Sequence, residues 1–466
     1  MNLFTRMSAV VIMTCFVSAC GGGNSDSSNN SGPSIVNVAK TLSQGPTGPA
    51  ISMTNNGRAV AVWSSWSSSS SSLWVNHYTP DSGWGIAQLA GSGTGIESGA
   101  KVAVNSSGSG VLAWIRQINS SKEILAAVYH PVDGWSAPTV LDSTQIGAPD
   151  ITVLMDENGI ATVFWHRLTV GTNMNTTVMT SRHTANVWDA SQVLVSGTST
   201  MDQKFVGNSS GQIMAIWQQS NPDPNDQFSH NYNSFVRMLI PGSGWSTAQP
   251  IGNNVPEMNG SMYYNPTTTP GHYTPRISLD NQGNALTLWL EAYYQGDSYH
   301  ITVNTFAAVN GWGTPQAIGS ISADSTLAVS PFVSDSSATS YVSLVDCQYS
   351  YSSTVSNIFV VTYKASIGWT INKVIDSLPF YCLSPRISVG KNGNLYLTWL
   401  QIDGNNIHLW SKQYSTVSGW GSSRRFDNWS GDIATYETAW DSSGNIIVIW
   451  SQNSGDSWVT LAKPLD

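Results

Sequence analysis

Lysine and arginine are scarce in this chain, 19 of 466 residues, yet six of them fall at only two positions of a recurring pattern. Seven residues before a recurring glycine stand Lys101, Lys204, Arg276 and Arg386, with Glu437 at that place in the last copy. Eight residues after the glycine stand Arg116 and Arg167, with Glu291 and Asp346 in later copies. A guanidinium fork grips carboxylate or sulfate bidentately, so basic residues converging from several copies suit an acidic glycan. Glu291 and Asp346, from neighbouring copies, offer the acid and base of a glycosidic hydrolysis, with Glu437 as a third candidate. The same residues could instead line a channel mouth, meeting solvent and pairing with one another. Tyr263 and Tyr264 lie outside the repeat register and read as stacking surfaces for sugar rings.

The elements that must position these residues are repeats. The unit is clearest at Asp280-Asn-Gln-Gly283-Asn-Ala-Leu-Thr-Leu-Trp289, a turn followed by an alternating apolar strand. Gly57/Trp63, Gly108/Trp114, Gly159/Trp165, Gly211/Trp217, Gly283/Trp289, Gly393/Trp399 and Gly444/Trp450 keep one interval, and an eroded copy puts Ala338 and Leu344 in those places. Copies follow one another every 51 to 55 residues, apart from one step of 72. A fixed period of this size marks a repeat architecture. The glycine supplies positive φ, and in six copies an Asp or Asn three residues before it caps the turn. Each copy reads as four antiparallel strands, A to D, with a second Gly-Trp marker at the start of D. Both tryptophan sets are expected to pack between sheets.

The fold expected is all-β: an eight-bladed β-propeller of four-stranded blades over residues 35–466. The last copy stops after strand C, at Trp458 to Pro464, and Ile35 to Leu42 reads as a D strand lacking its blade. The two fragments should complete one blade and remove the open edges. Seven blades is the alternative, if the eroded copy is an insertion. The stretches from Asn221 to Ser234 and from Gly252 to His272 read as irregular insertions on the face that carries the D–A and B–C loops. Cys347 and Cys382 fall on the same face.

Charge and motifs exclude several function classes. The formal charge is −9, only 10% of residues are charged, and no basic run occurs, which argues against nucleic acid. No stretch after the first twenty residues is apolar for long enough to span a bilayer. The histidines show no metal-ligand spacing, His166 and His183 reading as surface residues. No nucleophile elbow or phosphate-binding glycine loop occurs. No cofactor or metal is expected.

The N-terminus is an address. Arg6 precedes an apolar run from Met7 to Val17, and Val17-Ser18-Ala19-Cys20 completes a processing site. This ending resembles the lipobox of bacterial lipoproteins. The resemblance implies that residues 1–19 are a signal peptide, that cleavage precedes Cys20, and that Cys20 carries lipid. Residues 20–34 then form a flexible Gly/Ser/Asn tether. Gly21, where an aspartate is absent, goes with the outer membrane in enterobacterial lipoproteins. An ordinary secretory peptide cut after Ala19 is the alternative. In an oxidising compartment the two cysteines left, Cys347 and Cys382, form a disulfide by default.

The repeats resemble, at fold level, the bacterial secreted propellers grouped with sialidase-like proteins, over nearly all of Ile35 to Asp466. The Asp-box of sialidases is absent, because here the tryptophan follows the glycine by six residues. An anchored eight-bladed ring is also similar in architecture to the propeller lipoprotein of the outer-membrane protein assembly machine, whose repeats are shorter. The expected function is a non-catalytic, monomeric, envelope-anchored propeller that binds a glycan or protein partner on its insertion face. The alternatives are a polysaccharide-active enzyme using Glu291, Asp346 or Glu437 with Arg276 and Arg386, and an envelope assembly scaffold.

Overall fold

The computed structural model describes residues 36–37, 43, 45 and 47–465 apart from 68–69, 92–94, 145–149, 170–174, 199, 224–225, 253–270, 293–297, 323–324, 335–338, 350–353, 379–380, 404–405 and 428–430. The expected signal segment and tether, Cys20, Tyr263 and Tyr264 therefore lie outside the described residues.

Blade five shows how a repeat folds. Gly271–Leu279 pairs antiparallel with Ala285–Ala292, which pairs with Ser298–Ala307, and Gln316–Ser322 adds the outer strand. Strand A turns into B at Gly283, whose φ of +85° only glycine adopts without strain. Asp280 caps that turn: its Oδ1 accepts the backbone N–H of Gln282 at 2.9 Å and of Asn284 at 2.7 Å. The caps also join blades. Asn105 Nδ2 donates to Asp156 O, and Asn208 Nδ2 to Asp280 O, both at 2.9 Å.

Eight such blades form one ring. The eroded copy is a full blade, with strands Ser325–Val329, Ser340–Tyr349, Thr354–Lys364 and Gly368–Leu378, so the seven-blade alternative fails. The ring closes as expected. Val36–Asn37 pairs antiparallel with Trp458–Leu465, placing Val36 opposite Ala462 and Asn37 opposite Leu461. Ser43 and Trp458 exchange backbone hydrogen bonds of 3.0 and 2.7 Å. On the turn face, Ser442 Oγ donates to Asn55 O at 2.8 Å.

The two tryptophan sets differ. Those of strand B (Trp63, Trp114, Trp165, Trp217, Trp289, Trp399 and Trp450) are buried to 2% exposure or less. Each packs onto the blade before it: Trp289 lies with Met214 and Ile216, and Trp63 with Ile447 and Ile449 of the last blade. The Gly-Trp set is only half-buried. Each of its tryptophans stands opposite a residue of strand C in its own blade, as Trp135 does to Tyr129 and Trp312 to Phe306. One predicted insertion is regular: Ile213–Asp223 and Asp226–Ile240 extend as one long hairpin, with Asn221 opposite Asn231. The second lies almost wholly outside the described residues.

Candidate functional site

The innermost strand A of four blades carries a register break just before its basic residue. The pairing with strand B shifts between Ser98 and Lys101, Met201 and Lys204, Tyr273 and Arg276, and Leu383 and Arg386. Blades one and three, which hold Ala50 and Thr152 there, pair without a break. A β-bulge adds a residue on one strand and re-aims the side chain that follows. Three of the four bulges contain a left-handed residue: Gly99 at φ +62°, Asp202 at +53° and Ser384 at +49°. For the two non-glycines this costs about 1 kcal/mol or more. Tyr436 steadies the last of them, its buried hydroxyl donating to Ser384 O at 2.6 Å. Burial pushes that phenol well above its ordinary range.

The four basic residues line one cavity of about 580 Å³ in the channel, with Asp150, Thr152 and Gln203. Arg276 is the deepest. Its Nε and Nη2 donate to Val329 O at 2.9 and 2.6 Å, and Nη1 to Pro275 O at 2.9 Å. Burial presses its guanidinium down to about 10; Asp202 opposes this and Arg386 reinforces it. Lys204 donates to Gln203 O at 3.0 Å. Burial also lowers its pKa, with Arg276 adding to the effect against Asp202 and Asp150. Among the described residues, Lys101, Lys204 and Arg276 have no carboxylate ion-pair partner. Arg386 has one: its Nη2 meets Glu437 Oε1 at 2.7 Å. Its Nε is buried without a hydrogen bond, and its guanidinium lies 5.6 Å from the Tyr436 ring centre. The cluster thus holds four cations against Asp150, Asp202 and Glu437.

Arg116 and Arg167 do not belong to it. Strand alternation puts the residue two after the strand-B tryptophan on the tryptophan's own face, inside the blade stack. There it serves the indole. Trp217, Trp399 and Trp450 each donate Nε1 to the glutamine two residues on, at 3.2, 3.2 and 2.9 Å. Where arginine stands instead, it brings a carboxylate. Glu97 accepts Trp114 Nε1 at 2.5 Å and Arg116 Nε at 2.8 Å. Asp142 accepts Trp165 Nε1 at 2.7 Å and Arg167 Nε and Nη2 at 3.0 and 2.5 Å. The structure therefore does not bring these two arginines to the cavity lined by Lys101, Lys204, Arg276 and Arg386. The W-x-Q and W-x-R spacing carries the signal that could have told them apart.

Of the expected carboxylate pair, only Glu291 has a described side chain. Glu291 is 5% exposed, and its Oε2 accepts Thr302 Oγ1 at 2.9 Å within its own blade. Asp346 sits in strand B opposite Leu327 and Asn357, and its side chain lies outside the described residues. So does that of Cys347, whose backbone pairs with Ser356. Cys382 is buried, and its N–H donates to Ser356 Oγ at 3.2 Å.

His166 is not the surface residue expected. Burial lowers its pKa, opposed by Asp150 and reinforced by Lys204, both on the cavity wall. Its imidazole is therefore neutral near pH 7, beside the cationic cluster. Neither His166 nor Asp150 stands in a repeat position that sequence reasoning had singled out. Among the described residues no group of acids, histidines and cysteines could hold a metal ion.

No protein-family profile and no curated protein matches this chain. Solved structures are similar in fold. A polysaccharide lyase, an ulvan lyase bound to a GlcA(1-4)Rha3S repeat, matches over 75% of this chain and 89% of its own, at TM-score 0.49 and 10% identity. A second polysaccharide lyase matches over 92% of both chains at TM-score 0.47 and 12% identity. A leech intramolecular trans-sialidase matches over 91% of this chain and 92% of its own, at TM-score 0.38 and 8% identity. The propeller thus has carbohydrate-active enzymes, lyases and glycosidases, among its structural neighbours.

Proposed function

We propose that this propeller binds an anionic glycan in the cationic end of its channel, and that it does so at the cell envelope, held by lipid on Cys20. The convergence of Lys101, Lys204, Arg276 and Arg386 through four separate bulges carries the reading. Closing strand pairs alone needs no bulge, and two of these cost backbone strain. Buried cations without carboxylate partners are held at an electrostatic expense that an incoming sulfate or uronate would relieve.

The test is affinity electrophoresis of the purified protein in gels containing chondroitin sulfate or polygalacturonate. Arg276→Ala should weaken retardation by roughly tenfold or more, the worth of one desolvated charge-assisted contact. Arg276→Lys, which keeps the charge and loses the fork, should fall between. Arg116→Ala and Arg167→Ala should bind as the parent does. Equal retardation of all five proteins would remove the channel from consideration.

His166 favours a second reading, in which the bound glycan is also cut. A uronate whose carboxylate is neutralised by cations loses the proton α to that carboxylate more readily. A neutral imidazole can take it while the glycosidic oxygen leaves from the adjacent carbon, forming a carbon–carbon double bond. Polysaccharide lyases are among the fold's neighbours, and this is the carbohydrate-active version of the proposal. Its pH dependence has a definite sign. His166 titrates below the ordinary 6.5, so acidification through that lowered value should stop elimination while strengthening anion binding by one added charge. The readout is ultraviolet absorbance of an unsaturated uronate, measured against new reducing ends. Reducing ends without absorbance would mean hydrolysis; neither would mean a binding protein.

A further inference from the structure

We propose a second ligand site, distinct from the channel: the groove between blades two and three holds a neutral polysaccharide chain. This groove is a cavity of about 1130 Å³, just above the range of about 300–1,000 Å³ for small-molecule sites.

One wall departs from the repeat. In six blades the C–D hairpin leaves three residues between its paired ends, as between His130 and Gly134 of blade two. Blade three leaves two, Ala185 and Asn186, between Thr184 and Val187. Both are left-handed, at φ +49° and +65°, the demand of a two-residue hairpin turn. Asparagine tolerates that region, whereas alanine is strained there. The shorter hairpin forms part of one wall of the groove, and the strain is retained although glycine would remove it.

The walls are aromatic. Tyr129 and Trp135 form one pair and His183 and Trp188 the other, each with ring centres 5.1 Å apart. Both tryptophans are half-buried, so each offers ring surface to the groove. Burial keeps His183 below its ordinary pKa, against Asn186 and Asp189, so its ring adds no charge near pH 7. The polar edge is acidic: Asp133, 80% exposed, and Glu157 stand there with Asn158 and Asn186. Among the described residues no lysine or arginine lines it. That chemistry repels sulfate and uronate. It suits the apolar C–H face of a pyranose lying on an indole, with sugar hydroxyls donating to carboxylate and amide oxygens. The channel and the groove therefore select opposite glycans.

Affinity electrophoresis in gels containing laminarin or xylan, with chondroitin sulfate as the anionic comparator, separates the two sites. The parent protein should be retarded by at least one neutral polymer. Trp188→Ala should weaken that retardation about tenfold, as the loss of one stacking surface implies, and Trp188→Phe should preserve most of it. Inserting one glycine between Ala185 and Asn186 restores the hairpin length of the other blades. It should weaken neutral binding without lowering the melting temperature, which keeps the test sound if Trp188→Ala misfolds. Retardation by neither neutral polymer, or unchanged retardation in the insertion variant, overturns the groove site. So does loss of neutral binding in Arg276→Ala, which would assign it to the channel. Loss of chondroitin sulfate binding alone in Arg276→Ala leaves the groove standing.

Discussion

Trp165→Ala should lower the unfolding free energy by about 3–5 kcal/mol, the range for truncating a buried aromatic to alanine. The indole is completely buried among Val111, Ala113, Ile151 and Val163. The substitution therefore opens a cavity between two blades rather than within one. A second loss is polar. Asp142, 7% exposed at its side chain, accepts from both Trp165 and Arg167, and removing the indole leaves part of its acceptor capacity unmet. Trp165→Phe separates the two effects: it keeps most of the apolar volume and loses the N–H bond, so it should cost about 1–3 kcal/mol. Urea denaturation reads both. A loss below about 1 kcal/mol in the alanine variant would show that the blade interface relaxes around the gap, contrary to close packing.

Removal of residues 1–46 is the second large effect. It takes away Val36–Asn37 and Ser43, whose backbone groups satisfy one edge of Trp458–Leu465. At about 1 kcal/mol net for each backbone hydrogen bond, the loss should be on the order of 4 kcal/mol. The freed edge of Trp458–Leu465 is also a template for pairing with another chain. Compared with a chain starting at Ser34, the shortened protein should melt at lower temperature and elute partly as dimers or larger species. Unchanged melting together with purely monomeric elution would mean that the last blade stands without its borrowed strand.

These two results bear on what could be read from the chain before folding. The ring was legible because its markers are backbone demands: a glycine at seven of the eight A–B turns, a cap three residues before most of them and a tryptophan that must find the neighbouring sheet. Lys101, Lys204, Arg276 and Arg386 were legible as a set because they share one place on the innermost strand. Arg116 and Arg167 stand apart from that set for a reason the strand itself supplies. They share a face with Trp114 and Trp165, and that face is the blade interface. The bulges were hidden because their left-handed residues are of three kinds, Gly99, Asp202 and Ser384. Glu97, Asp142, Asp150 and His166 were missed because each occurs once, where repetition offers no comparison. The groove at Trp188 rests on a single deleted turn residue, visible only when hairpins are counted strand against strand.

The closing strand has a consequence for how the protein is made. Val36 and Asn37 leave the ribosome long before their partners Leu461 and Ala462. Trp63 likewise waits for Ile447 and Ile449. Blades two to seven can stack on one another as they emerge, but the first cannot be sealed until the last has been made. Throughout elongation one sheet face and one strand remain unclaimed, and a nascent chain of this kind depends on being shielded from its neighbours until its two ends meet.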